Sequence, residues 1–289
     1  MSIFRKLFRT IRKKSYYVLC HYNDKRRQKI IPSKTPIDVA IMVLEKDLDI
    51  LPLCIEGVKK HVKQVVDNIY VVCPSSELIK KFCCENNLNY IVESSILGYS
   101  PKDLEIVVTS DGEVMDRSGW LFQQLVKLSG KIGECQYTLF IDSDHILLND
   151  HVFLTSKGKT VYYMSNEFHL PYYINMRRLL KKKVLIPPVL SFVSHKMLFD
   201  KEKLMALHDI LEEKNNNDEK WDEAIINQYD KKEKSGFSEF ELYGYLFGSD
   251  GIWLPWNELR LNYAKKMPYE FLQKEYKHLS SVTFPSFLK

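Results

Sequence analysis

No apolar run in this sequence approaches the roughly 18–20 residues that cross a bilayer as a helix; the longest candidate, SYYVLCHY, is far shorter. An apolar core followed by a small-residue cleavage site is also missing near residue 1, so no signal peptide is expected. The six cysteines (Cys20, Cys54, Cys73, Cys83, Cys84 and Cys135) form no C-x-x-C pair, and several sit in apolar runs such as IYVVCP. That pattern points to free buried thiols in a reducing compartment. There is no glycine-rich phosphate loop, no G-x-S-x-G elbow and no H-E-x-x-H zinc motif. Any phosphate would have to be handled by side chains and a metal ion.

The charge is unevenly spread. The chain carries 42 Lys and Arg against 37 Asp and Glu, a net +5. Residues 1–29 hold ten of the cations and one acid, Asp24, which is +9; the remaining 32 cations and 36 acids sum to −4. The basicity belongs to the leader, which argues against a broad nucleic-acid-binding face. In MSIFRKLFRTIRKK, Phe4, Leu7, Phe8 and Ile11 share one helical face, with Arg5, Lys6, Arg9, Arg12 and Lys13 on the rest. Residues 1–14 are expected to lie on an anionic membrane surface as a basic amphipathic helix. Packing on the body, or a disordered basic tail, are the alternatives. Asn23 to Thr35, polar and proline-containing, is expected to be a linker. The division is a leader and linker over 1–35 and a single body over 36–289.

In the body, IDVAIMVL, DNIYVVCP and LNYIVES read as strands, and helical patterns follow each of the first two. This alternation predicts an α/β fold with a mixed, mostly parallel central sheet flanked by helices. Residues 96–118 look irregular. WLFQQLVKL (120–128) is a helix, LSFVSHKMLF (190–199) a strand running into a helix, and FSEFELYGYLF (237–247) a helix capped by Ser238.

One stretch carries chemistry. In YTLFIDSDHILL (137–148) an apolar strand ends in Asp142-Ser143-Asp144. Ligands bind at the carboxyl ends of strands in open α/β sheets. Two carboxylates one residue apart suit a hard cation, Mn²⁺ or Mg²⁺, bound with substrate phosphates. The alternative is a solvated turn.

With SGWLFQQLVKL (118–128), FVSHKMLFDK (192–201), FSEFELYGYL (237–246) and KDLDILPLCIEGVKKH (46–61), this strand and its D-x-D resemble the GT-A class of nucleotide-sugar glycosyltransferases. More narrowly, these segments look like a bacterial family of unknown function within that class. The resemblance covers the body from about residue 37 to 250 and leaves out the leader. It implies a GT-A-like single domain, with Asp142, Asp144 and His195 toward the metal. It also implies Glu239 as the base that takes the acceptor proton in an inverting transfer, with Glu241 as substitute. Ser238 stands where such enzymes often place a first acid, so a plain capping box is the alternative there. Asp111, Arg117, Gln124 (or Gln123), Asp142 and one of Glu45, Lys46 and Asp47 are donor-binding candidates, Lys46 first. The cationic run RRLLKKK (177–183) faces either acceptor phosphate or solvent. The implied partners are a nucleotide-diphosphate sugar and a glycan or lipid-linked glycan acceptor of capsule or lipopolysaccharide type. The implied location is the inner face of a bacterial cell membrane, peripheral and cytoplasmic. A sugar-phosphate or nucleotidyl transferase, or a non-catalytic glycan-binding protein, are the rival classes.

Overall fold

The computed structural model describes residues 3–27, 29–110, 112–187, 189–215 and 218–285. Its first element, α1 (Ile3–Arg27), is one 25-residue helix. It runs well past residue 14, and the expected linker from Asn23 is helical as far as Arg27. The reason is a second stripe at i, i+4 and i+8: Arg12, Tyr16 and Cys20 are all buried. The Arg12 Nε donates to the Val189 carbonyl at 3.1 Å, and the Tyr16 hydroxyl accepts from the Trp256 amide at 3.2 Å. The expected apolar face is not the one that packs on the body: Leu7 and Ile11 are exposed, as are Val18 and Tyr22 further along the helix.

β1 (Ile37–Met42) is buried at every position, the mark of a central strand covered on both faces. After it come α2 (Leu51–His61), β2 (Val66–Cys73), α3 (Glu77–Glu85), β3 (Asn89–Val92) and the short α4 (Ser94–Leu97). Ser76 caps α3 by accepting from the Ile79 amide at 3.3 Å. The stretch expected to be irregular contains an antiparallel hairpin, β4 (Val107–Ser110) and β5 (Glu113–Asp116). Then come α5 (Ser118–Leu128), β6 (Tyr137–Asp142), β7 (His145–Leu147), β8 (Val161–Met164), α6 (Leu170–Leu180) and β9 (Lys196–Asp200). The described chain finishes with α7 (Lys201–Asn215), α8 (Trp221–Asn227), α9 (Glu239–Phe247), β10 (Ile252–Pro255), β11 (Glu258–Arg260), α10 (Tyr269–Glu275) and β12 (Ser281–Thr283).

The main sheet has the order β3-β2-β1-β6-β9; its first four strands are parallel and β9 runs antiparallel to β6. The expected mixed, mostly parallel sheet flanked by helices is thus present. Side chains alternate across it. Ala40, Met42 and Phe140 meet Leu121, Leu125, Leu179 and Leu242 on one face. Val39, Ile41, Leu139 and Ile141 meet Leu51, Val58 and Ile79 on the other.

Two smaller sheets flank the carboxyl end of β6. β7 pairs antiparallel with β12, which also pairs with β11, while β8 pairs with β10. The Phe284 amide donates to the Asp144 carbonyl at 2.9 Å, so the segment after β12 clamps the D-x-D turn. Gly57 lets α2 lie against β7 behind that turn: a Cβ there would sit 2.9 Å from the Leu147 backbone.

One expected boundary is corrected. Residues 190–195 are not strand; β9 begins at Lys196, and His195 sits in the left-handed region at φ 59°. A non-glycine residue there is held by its surroundings at a cost of roughly 1–3 kcal/mol, and such strain clusters at functional sites.

Candidate active site

A cleft of about 920 Å³ opens at the carboxyl ends of β1 and β6. Lys46, Arg117, Gln124, Asp142, Asp144, His195 and Glu239 all line it. These candidates came from five separate stretches of sequence, and the fold brings them to one place. Asp111 lies outside the described residues.

At the centre is a residue the sequence did not single out. Lys127, on α5, is almost wholly buried, and its ammonium lies 2.9 Å from Asp142 Oδ1 and 2.9 Å from Glu239 Oε1. Burial opposes the charge on Lys127, but the two carboxylates more than offset this and raise its pKa. The other Asp142 oxygen, Oδ2, is 2.9 Å from His195 Nδ1. Burial works against the Asp142 charge, yet Lys127 and the His195 hydrogen bond hold its pKa well below the usual carboxylate range. For His195, burial is outweighed by the Asp142 hydrogen bond and by Glu258, Asp142 and Asp144, which push its pKa up to about 9.

Asp144 is different. Burial, then the neighbouring Asp142 charge, pushes its pKa up to about 6. Among the described residues no ion pair joins it. A desolvated carboxylate beside a second one is poised to accept a cation. His195 Nε2 is buried without a hydrogen-bond partner among the described residues, 3.9 Å from both Glu167 Oε1 and Glu258 Oε1. Asp142 and Asp144 supply the adjacent carboxylate oxygens that suit a hard divalent ion, while His195 Nε2 faces away from them, where Glu167, His195 and Glu258 each bring a ligand atom to within 4.8 Å of the others.

Behind His195 lies a second buried network. The Lys196 ammonium sits 3.0 Å from His145 Nε2, 3.8 Å from Glu258 Oε2 and 4.2 Å from the centre of the Trp256 ring. Burial lowers the Lys196 pKa to about 7, against the pull of Glu258 and Asp142. His145, stacked on His195 at 5.6 Å, is pushed well below its ordinary value by burial and by the neighbouring Lys196 and His195 charges.

The remaining candidates divide. Gln124 accepts from the Glu239 backbone amide at 3.3 Å, so it fixes the start of α9. Ser238 caps the same helix through the Glu241 amide at 3.3 Å. Arg117 lies over the Trp120 ring at 4.3 Å, and its Nε is buried without a hydrogen-bond partner among the described residues. Glu45 is committed to the Ser76 hydroxyl, whereas Lys46 and Asp47 line the cleft. Arg177, Arg178 and Lys181 to Lys183 are exposed; Arg178 pairs with Asp230 at 3.1 Å, and none of the run lines the cleft.

Glu241 is corrected as a substitute base. Two residues along the helix is about 200°, so it points away from the cleft into the core. There its Oε1 accepts from Tyr173 at 3.1 Å, from the Phe192 amide at 3.2 Å and from the Ser191 hydroxyl. Burial pushes its pKa from 4.5 up to about 7. A carboxyl with a raised folded pKa adds stability that is fully present below the unfolded value and lost as pH rises through the folded one. Glu241→Gln should therefore match wild type at pH 4.5 and exceed it by roughly 2–3 kcal/mol at pH 8. Urea midpoints at the two pH values check this, and an equal offset at both would sink it.

Lys127 had a signal in the sequence after all. Trp120, Gln123, Gln124 and Lys127 stand at i, i+3, i+4 and i+7, and all four line the cleft. Leu121, Leu125 and Leu128, all fully buried, occupy the core side of the same helix.

Fold and site together define a mixed α/β protein with a charged, carboxylate-centred cleft at the carboxyl ends of its central strands. The chain belongs to the family of unknown function DUF6492, whose profile matches residues 34–280. No curated protein matches the sequence. Among solved structures, the apo form of mouse xyloside xylosyltransferase 1 aligns with a TM-score of 0.47 at 10% identity, over 88% of this chain and 99% of that one. Galactosyltransferase LgtC in complex with donor and acceptor sugar analogs aligns with a TM-score of 0.39 at 12% identity, over 86% of each chain.

Proposed function

We propose that this chain is a metal-dependent glycosyltransferase that moves a sugar from a nucleotide diphosphate to a glycan acceptor. The observation that carries this is the convergence of Asp142, Asp144 and His195 with Lys127 and Glu239 in one cleft at the end of a buried strand. Asp142 and Asp144 would hold Mn²⁺ or Mg²⁺, which when bound would neutralise the diphosphate leaving group; His195, expected from the resemblance as a further ligand, instead orients Asp142 through the Nδ1 hydrogen bond. Lys127 fixes Asp142 and Glu239 relative to one another. Arg117, over Trp120 and with Nε lacking a hydrogen-bond partner among the described residues, is suited to a phosphate or carboxylate of the donor. Lys46 and Asp47, after β1, would meet the nucleoside.

In the transfer, an acceptor hydroxyl forms the new bond to the anomeric carbon as the bond to the diphosphate breaks. The diphosphate leaves with the electron pair, and Glu239 takes the hydroxyl proton. Lys127 engages Oε1 of Glu239, so the proton would go to Oε2. Attack from the face opposite the leaving group inverts the anomeric centre. The test is thermal stability of the protein against a panel of nucleotide diphosphates and nucleotide sugars, with and without Mn²⁺. A ligand that binds the native state raises the midpoint by mass action. A metal-dependent rise for one nucleotide is expected; no rise with any of them would remove the transferase assignment.

We propose further that the enzyme works at an anionic membrane surface, with a surface glycan as acceptor; the exposed face of α1 supports the membrane part of this reading. Leu7, Ile11, Val18 and Tyr22, all exposed, form a stripe opposite the buried Arg12, Tyr16 and Cys20. Lys14 is exposed beside it, and Lys13 is exposed further round the helix. Among the described residues no helix is long and apolar enough to cross a membrane. Co-sedimentation with phosphatidylglycerol-containing vesicles should fall about tenfold or more in a Leu7→Glu, Ile11→Glu double variant. Unchanged sedimentation would detach α1 from the lipid surface.

A further inference from the structure

A second cleft, of about 660 Å³, lies between α1 and the loop that follows β8. Tyr17 on α1 stands at one side, with Asn166 and Phe168 on the loop, Tyr172 at the start of α6, and Asn257 and Glu258 beyond. Arg12 braces it, stacked over Phe168 at 4.6 Å and bonded to the Val189 carbonyl. This cleft is continuous with the first, because Glu167, Tyr172, Ser235 and Arg260 line both. A molecule lying in it would project one end toward Glu239 and Asp144.

The lining says what kind of molecule. Aromatic rings supply flat apolar faces, and amides, hydroxyls and a carboxylate supply donors and acceptors at their edges. That combination matches a sugar, with C–H faces and a rim of hydroxyls. The charges of the lining cancel, Arg9 and Arg260 against Glu167 and Glu258, with Arg260 paired to Glu167, so the cleft offers no cationic surplus to a polyanion.

The geometry points to this second cleft as the acceptor subsite, taking an uncharged carbohydrate chain against a wall contributed by α1. The inference rests on the glycosyltransferase assignment for its role, though not for its ligand chemistry. It makes α1 part of the substrate site as well as a surface helix.

The test is saturation-transfer NMR on the full chain with a panel of methyl glycosides of glucose, galactose, mannose, xylose, rhamnose and N-acetylglucosamine, both anomers of each. The variants are Tyr17→Ala and Asn257→Ala; Tyr17 is half exposed, so its loss leaves the fold in place. Nucleotide diphosphate binding with Mn²⁺ is measured alongside. Wild type should transfer saturation to at least one glycoside, and each variant should weaken it about three- to tenfold with nucleotide binding unchanged. If nucleotide binds while no glycoside does, or if glycoside binding is the same in the variants, the subsite is overturned. Glycoside binding that depends on Tyr17 in a protein that binds no nucleotide would keep the carbohydrate cleft and discard the transferase.

Discussion

Asp144→Asn should leave the protein more stable without ligands and unable to respond to Mn²⁺ and nucleotide. The first half follows from where the carboxylate sits. It is desolvated next to Asp142, and the two together lift its pKa to about 6. At pH 7.5 it is therefore charged at a cost that a neutral amide of the same shape does not incur. The gain should be on the order of 1 kcal/mol, a few degrees in melting temperature for a chain of this size. The second half follows from the donor set. An amide oxygen is a weaker ligand for a hard cation than a carboxylate, and one of two adjacent carboxylates is lost.

Opposite signs in the two measurements would mark a site where stability yields to function. Differential scanning fluorimetry reads both from one plate. Wild type should gain on adding Mn²⁺ with the matching nucleotide, by roughly 3 kcal/mol at a hundredfold excess over Kd. The variant should start higher and stay flat. A variant that starts lower than wild type would make Asp144 a structural turn residue, and the metal assignment would fail with it.

The strands and the D-x-D were legible because their signals are local. β1 and β6 are near-continuous apolar runs, and an acid pair at the end of one is unusual enough to notice. The α9 cap was legible for the same reason, a serine three residues before a glutamate. The contacts that organise the site are not local. Lys127 meets partners 15 and 112 positions further on, and a lysine in a helix ordinarily points to solvent. The pairing of β12 with β7, which brings Thr283 to His145 at 2.8 Å, joins segments 138 residues apart. Lys196 reads as the polar member of a short strand; only the fold shows it buried against His145 and Trp256. In α1 the periodicity was correct but two stripes were present. The sequence pattern could not say which of them the body would take.

Lys127→Met should be the most damaging single change in the cleft. The methionine keeps most of the stem volume and removes the ammonium that two acids share. Glu239, with a side chain only 6% exposed, would lose its ion-pair partner, and Asp142 would keep only His195. Removing one partner from a buried ion pair costs roughly 3–5 kcal/mol, because the remaining charge is left uncompensated. For this chain that is a fall of about 10 °C in melting temperature. Were Lys127 an ordinary solvated helix residue, the change would stay within about 0.5 kcal/mol. A second substitution separates charge from packing. In Lys127→Met with Glu239→Gln, one of the orphaned charges is gone, and at least half of the lost stability should return. No recovery would mean that the lysine stem, and not its charge, holds α5 against α9. Function should not follow stability in this pair. Asp142 with an unengaged Oδ1 remains a cation ligand, so the Mn²⁺-dependent nucleotide response should survive in both variants at a temperature where they are folded. Transfer should be lost in both, because Glu239 is mispositioned in one and unable to take a proton in the other.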